Sequence, residues 1–211
     1  MLIDGPQSAP ATFILAHGAG AGMETPFMNA FASGLAEADF RVIRFEFPYM
    51  QKIRATGKRR PPDAAAKLID HYQTVLQQVC QTTTQRQRTI IGGKSLGARI
   101  ASLIADDAEI GGLVALGFPF QAPGKPNPQR IAHLAKLRTP SLFLQGTRDP
   151  FGNIEQVETF KLSKLIQLYW LEDGNHDLAP RKSSQRTTEQ NWQAGIRALV
   201  KFGITIGSAS I

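Results

Sequence analysis

The sequence predicts an α/β protein, a single three-layer αβα domain over residues 1–211 with a mostly parallel sheet of about six strands. Three observations carry this. Short apolar runs rich in β-branched residues alternate along the whole chain with segments whose apolar residues recur every three to four positions. The runs are nearly continuous in hydrophobicity, as strands buried on both faces are. Most of them end in clusters of glycine, proline and aspartate, and no repeat or linker divides the chain.

The first run, Thr12 to Ala16, opens into His17-Gly18-Ala19-Gly20-Ala21-Gly22. No room is expected for a strand before it. Phe27, Phe31, Gly34, Leu35 and Ala38 follow as one face of a helix, expected to belong to the core. Arg41 to Phe47 is the second strand and stops at Pro48; Met50 to Pro62, basic and ending in Pro61-Pro62, is expected to be an exposed loop. Leu68, Ile69, Tyr72, Val75, Leu76 and Val79 predict a helix, and Gln81 to Arg88 a polar connection. The third strand, Thr89 to Ile91, leads into a helix marked by Leu96, Ile100, Leu103 and Ile104. Gly112 to Gly117 is the fourth, and the segment after it, Phe118 to Pro128, is too rich in proline for a helical cap, so any lid is a loop. A short helix over Ile131 to Leu137, strands at Ser141 to Gln145 and Leu165 to Leu171, and a tail helix carrying Trp192, Ile196, Leu199 and Val200 complete the chain. Fraying is expected beyond Gly203.

Composition bounds the rest. The 42% hydrophobic content is that of a globular protein, and no apolar run approaches the roughly 20 residues of a membrane helix. Met1 to Ala11 lacks the pattern of a secretion signal, so a cytoplasmic protein is expected. The single cysteine, Cys80, excludes an internal disulfide and a thiolate-rich metal site. Net charge is +7, but the basic residues are dispersed apart from Lys52 to Arg60, and that cluster has no interleaved aromatics for base stacking. No nucleic-acid or membrane partner is expected, and a monomer or weak homodimer is.

The chemistry gathers at Gly93-Lys94-Ser95-Leu96-Gly97, a G-x-S-x-G pattern between a strand and a helix. A serine at the apex of so sharp a turn is strained, and the positions two before and two after must have almost no side chain. Gly93-Lys94-Ser95 also matches the end of a phosphate-binding loop, but the glycine required six residues before the lysine is Arg88. Asp149 and His176 each follow a later strand, so the order Ser95, Asp149, His176 is that of nucleophile, acid and base. Glu172 and Asp173 are rival acids that would approach from the loop of His176 itself; Asp177 is expected to cap that turn. The backbone amide of Leu96 and one from Gly18 or Ala19 are the expected oxyanion donors. His17, Phe118, Arg59 and Arg60 are the candidate substrate-binding residues; the arginines would favour an anionic substrate, against the commoner role of such a charge run as a solvated loop, and His17 has the alternative of orienting the oxyanion loop without titrating. His71 and His133 sit in helical patterns and are expected to be structural. No spacing of histidines and carboxylates calls for a metal, and no cofactor is implied.

These segments together resemble the α/β-hydrolase superfamily, and within it the small lidless members near the dienelactone-hydrolase-like group. The resemblance runs from His17-Gly18-Ala19-Gly20 through Ser95 to Gly146-Thr147-Arg148-Asp149-Pro150-Phe151-Gly152 and Gly174-Asn175-His176-Asp177-Leu178. It extends to a poorly characterised branch carrying Arg59-Arg60-Pro61-Pro62 and Gly117-Phe118-Pro119-Phe120. It implies a serine hydrolase of a small ester or thioester. Dienelactone hydrolases use a cysteine where this chain has Ser95, so their substrate does not carry over. The branch also includes subunits of chromatin-modifying complexes, which leaves a non-catalytic scaffold as the alternative.

Overall fold

The computed structural model of the chain describes residues 1–122 and 127–208. Its strands are β1 (Leu2–Asp4), β2 (Thr12–Ala16), β3 (Arg41–Phe45), β4 (Thr89–Lys94), β5 (Gly112–Leu116), β6 (Ser141–Gly146) and β7 (Ile166–Leu171). Its helices are α1 (Pro26–Ala36), α2 (Pro48–Thr56), α3 (Ala65–Val79), α4 (Thr83–Gln87), α5 (Leu96–Ile104), α6 (Ile154–Val157) and α7 (Thr188–Ser208). The strands form one sheet in the order β1-β3-β2-β4-β5-β6-β7, parallel throughout except for β1, which pairs antiparallel with β3.

Alternation along each strand divides the core into two layers. Phe13 and Leu15 of β2 join Val42, Ile90, Val114 and Leu144 on one face, where α1 and α7 cover them. Ile14 and Ala16 join Ile43, Phe45, Ile91 and Phe143 on the other, under α3 and α5. Each large side chain removed from water in this way contributes about 1.5–3 kcal/mol before the entropy of ordering is set against it. Tyr72 of α3 is fully buried, and its hydroxyl lies 2.7 Å from the Ile14 carbonyl and accepts the Gly92 amide at 2.9 Å. That contact fastens α3 to β2 and β4, the two strands whose carboxyl ends build the site.

The sheet has seven strands rather than six among the described residues. β1 is only three residues long, too short to show a period; it is defined by its pairing to β3 and by the Asp4–Arg44 ion pair at 2.9 Å. The basic segment is helical from Pro48 to Thr56, with proline in the first turn and Gly57 at φ 67° closing it, so only its later part is irregular. The expected connection before β4 contains α4, held by a capping box between Thr82 and Gln85. Residues 132–136 form a 3₁₀ helix. The tail does not fray at Gly203: Phe202 and Ile206 continue the apolar face of α7 to Ser208. The expected loop through Pro123, Gly124, Lys125 and Pro126 lies outside the described residues. No described helix is long and apolar enough to cross a membrane.

Candidate active site

β4 delivers the chain to Ser95 and α5 removes it at once, which requires the backbone to reverse within a single residue. Ser95 takes φ 49° and ψ −107°, a region that non-glycine residues enter at a cost of order 1–3 kcal/mol. The flanking glycines are explained by one neighbour. A Cβ on Gly93 would stand 2.1 Å from the Ala16 carbonyl oxygen, and one on Gly97 2.4 Å from the same atom. Both ends of the turn are therefore pressed against the last residue of β2. The first helical amide bond of α5 runs from Arg99 to the Ser95 carbonyl at 3.0 Å; the amides ahead of it belong to the helix's first turn, which has no acceptor within the helix.

Ser95 Oγ lies 2.8 Å from His176 Nε2, and His176 Nδ1 lies 2.8 Å from Asp149 Oδ2. The carboxylate can only accept, so Nδ1 carries the proton and Nε2 is free to accept from the hydroxyl. Asp149 is wholly buried and fully bonded: Gln145 Nε2 donates to Oδ2 at 2.8 Å, and the Phe151 amide donates to Oδ1 at 2.8 Å. The Asp149 carboxylate is thus fixed before any proton moves. The rival acids are elsewhere: Asp173 is held by Arg148 and Arg181, which bring its pKa down to about 2, and Glu172 is exposed.

The glycine-rich loop after β2 faces this set. His17 is fully buried, with Nδ1 2.6 Å from the Gly18 carbonyl, and its Nε2 accepts the Phe47 amide at 3.1 Å. Burial lowers its pKa, and both bonds require the neutral Nδ1–H tautomer. The Tyr49 hydroxyl donates to the Ala19 carbonyl at 3.0 Å and lies 3.3 Å from that of Gly18. In trans peptides N–H points opposite to C=O, so the amides of Ala19 and Gly20 are turned away from Tyr49.

Between loop and serine lies a cleft of about 540 Å³ lined by the 18–22 loop and by Phe27, Lys94, Phe151, His176 and Trp192 among others. Phe27, expected in the core, and Trp192, expected on one side of the tail helix, form its apolar wall, their ring centroids 5.4 Å apart. None of the four expected substrate-binding positions lines it, for plain reasons. Phe118 is sealed beneath, stacked on Phe143. Arg59 and Arg60 are exposed in the irregular segment after α2 and do not line the cleft. His17 stands behind the loop rather than in the cleft. Arg54 of the same basic segment is held by Glu24 and Glu46. His71 and His133 bond the Glu46 carbonyl and Ser102, away from the cleft.

Sequence reasoning passed over Lys94 and Gln145. Gln145 is the next-to-last residue of the buried strand β6, four residues before Asp149, and a polar side chain there was the signal available. Lys94 is nearly buried; its Nζ donates to the His176 carbonyl at 2.5 Å and pairs with Asp177 at 3.2 Å. Asn175, not Asp177, caps the turn, accepting the amides of Asp177 and Ala179. Among the described residues no cluster of histidine, cysteine and carboxylates of metal-binding form occurs.

Comparison with known proteins gives a consistent answer. Residues 9–203 match the model of an alpha/beta hydrolase domain. An alpha-beta serine hydrolase homologue from Coxiella burnetii superposes with a TM-score of 0.68 at 21% identity, over 97% of this chain and 89% of that one. A serine hydrolase without a lid from Xanthomonas campestris gives 0.64 at 21% identity, over 96% and 86%. Dienelactone hydrolase from Anabaena variabilis gives 0.72 at 16% identity, over 96% and 89%. At these identities the likeness is one of fold.

Proposed function

Because the chain belongs to the alpha/beta hydrolase domain family, we propose that it is a serine hydrolase that cleaves a small ester or thioester through an acyl-enzyme on Ser95. The observation that carries this reading is the unbroken chain Ser95 Oγ, His176, Asp149, with both links at 2.8 Å and the hydroxyl at the cleft.

His176 Nε2 takes the Ser95 proton as Oγ attacks the acyl carbon, then gives it to the departing alcohol or thiol. Asp149 keeps the imidazole in the required tautomer and stabilises its positive charge, helped by the Gln145 and Phe151 donors. The negative charge on the acyl oxygen falls to the amides of Leu96, at the start of α5, and Ala19, in the loop held by Tyr49. One such donor is commonly worth about 3 kcal/mol of barrier. Water then repeats the sequence and frees the acid. The aromatic wall of Phe27, Phe151 and Trp192 suits a short apolar or flat group. The serine hydrolases among the similar structures support the reaction class.

A panel of short acyl esters and thioesters tests the proposal. Turnover is expected for at least one member of each carbon length that fits the cleft and is expected to vanish in Ser95→Ala. A folded protein inert to the entire panel, or turnover that persists without Ser95, would return the scaffold to first place.

A further inference from the structure

We propose that Lys94 is a positioning residue for His176: by donating to the His176 backbone carbonyl, its ammonium group fastens the loop that carries the base to the turn that carries the nucleophile. This rests on the reading of Ser95 and His176 just given.

Lys94 is the last residue of β4, directly before the strained Ser95. Its side chain runs beside the glycine-rich loop, with Cγ 3.4 Å from where a Cβ on Gly18 would stand. The Nζ then reaches the His176 carbonyl at 2.5 Å, with Asp177 Oδ1 at 3.2 Å and the Phe27 ring centroid at 5.4 Å. Only 10% of the side chain is exposed, whereas Asp177 is 65% exposed. Burying an ammonium group at this depth is costly unless it is paired and bonded. An apolar residue would fill the same space more cheaply, so the cation has to be explained by what it holds.

The other bonds of the segment it holds run within the loop, to the residues after β6, where Asp149 bonds the His176 ring, and to α7. The 173–179 loop is closed by Asn175, bonded through Asp173 to Arg148 and Arg181, and joined to α7 by Asn191 and Trp192. Among the described residues, the bonds that cross from this loop to the 93–97 turn are those of Lys94 and the Ser95–His176 bond itself. The former grips the backbone of the very residue whose ring must stay in register with Ser95. Gly117 leaves the room for it: at φ 68°, a Cβ there would stand 2.7 Å from the His176 carbonyl oxygen and 3.3 Å from Lys94 Nζ. The charged and titratable groups facing the ammonium are Asp177 beside it, Asp149 farther off and the imidazole of His176.

The test combines amide hydrogen exchange with steady-state kinetics on the whole chain. Lys94→Met keeps the length and apolar stem and removes the donor. It is expected to speed exchange at Asn175 to Leu178 by about tenfold, and to lower kcat roughly 10–100-fold with KM within about twofold. Lys94→Arg, which keeps a donor and the charge, is expected to restore both. Gly117→Ala wedges the carbonyl from the ammonium with the lysine still present, and should reproduce the faster exchange. Wild-type exchange in folded Lys94→Met overturns the proposal, as does a rise in KM with kcat unchanged, which would make Lys94 a substrate contact instead. Exchange needs no turnover, so it decides the matter even if Ser95 proves unreactive and the hydrolase reading fails.

Discussion

Two histidines follow two strands of one sheet and are bound in opposite ways. His17, directly after β2, is sealed; its ring nitrogens meet a backbone carbonyl and a backbone amide. His176, after β7, is 21% exposed in its side chain and bridges a carboxylate and a hydroxyl. In both rings Nδ1 faces an oxygen acceptor. Only the second faces a group from which it can take a proton and a cleft in which a substrate can stand. On the proposed mechanism, partners rather than residue type or position at a strand end divide a structural histidine from a chemical one.

The sharpest way to break it is to remove each ring in turn. His176→Ala is expected to lower kcat/KM by roughly 10⁴–10⁶-fold while leaving the denaturation midpoint nearly unchanged, because the ring is part-exposed and the loop keeps its other bonds. Asp149→Asn, which presents an amide to His176 and disturbs the Gln145 contact, should lower kcat about 10⁴-fold, measured as the acylation rate in a single turnover. His17→Ala should show the reverse balance. A buried ring and two hydrogen bonds are lost, so urea denaturation is expected to show about 2–4 kcal/mol less stability, and the surviving folded enzyme should lose far less activity than His176→Ala.

Acid sharpens the contrast further. Burial lowers the folded-state pKa of His17, so the unfolded chain takes up its proton first as pH falls. Its contribution to stability is complete above the unfolded value of about 6.5 and is lost below it, at no more than about 1.4 kcal/mol per pH unit. The Tm of the wild type should therefore fall between pH 7 and pH 5. A non-titrating residue at position 17 should flatten that slope, though His71 and His133, shifted in the same direction by burial, will leave part of it. The smallest effect belongs to the basic segment. Removing Arg59 and Arg60 together is expected to change KM by less than about twofold for acidic and neutral esters alike, since neither lines the cleft.

The parts legible in the sequence were those with a short-range physical signature. Six strands were visible as apolar runs, and the Ser95 turn as a spacing that only glycine satisfies. Asp149 and His176 were legible as residues following strands in a set order. The parts that were not legible depend on distant contacts. β1 exists through pairing with β3, and α2 through the burial of Tyr49 and Met50 among residues far away in sequence. Phe27 and Trp192 follow helical periods that mark a core face, and nothing local distinguishes a core position from one at the edge of a cleft. In the basic segment the sequence shows charge density but not where each charge ends: Glu24 and Glu46 hold Arg54 from two other parts of the chain, while Arg59 and Arg60 are exposed and do not line the cleft. Lys94 was hidden by the opposite problem, a single cation in an apolar setting whose partner lies 82 residues away.

On the proposed mechanism Ser95 is an activated nucleophile. Reaction of the purified chain with a fluorophosphonate probe, followed by intact mass and peptide mapping, addresses it without knowledge of the substrate. One adduct per chain is expected, mapping to Ser95, absent in Ser95→Ala and formed far more slowly in His176→Ala. A folded, monodisperse protein that takes up no probe, or takes it up at another residue, would contradict it.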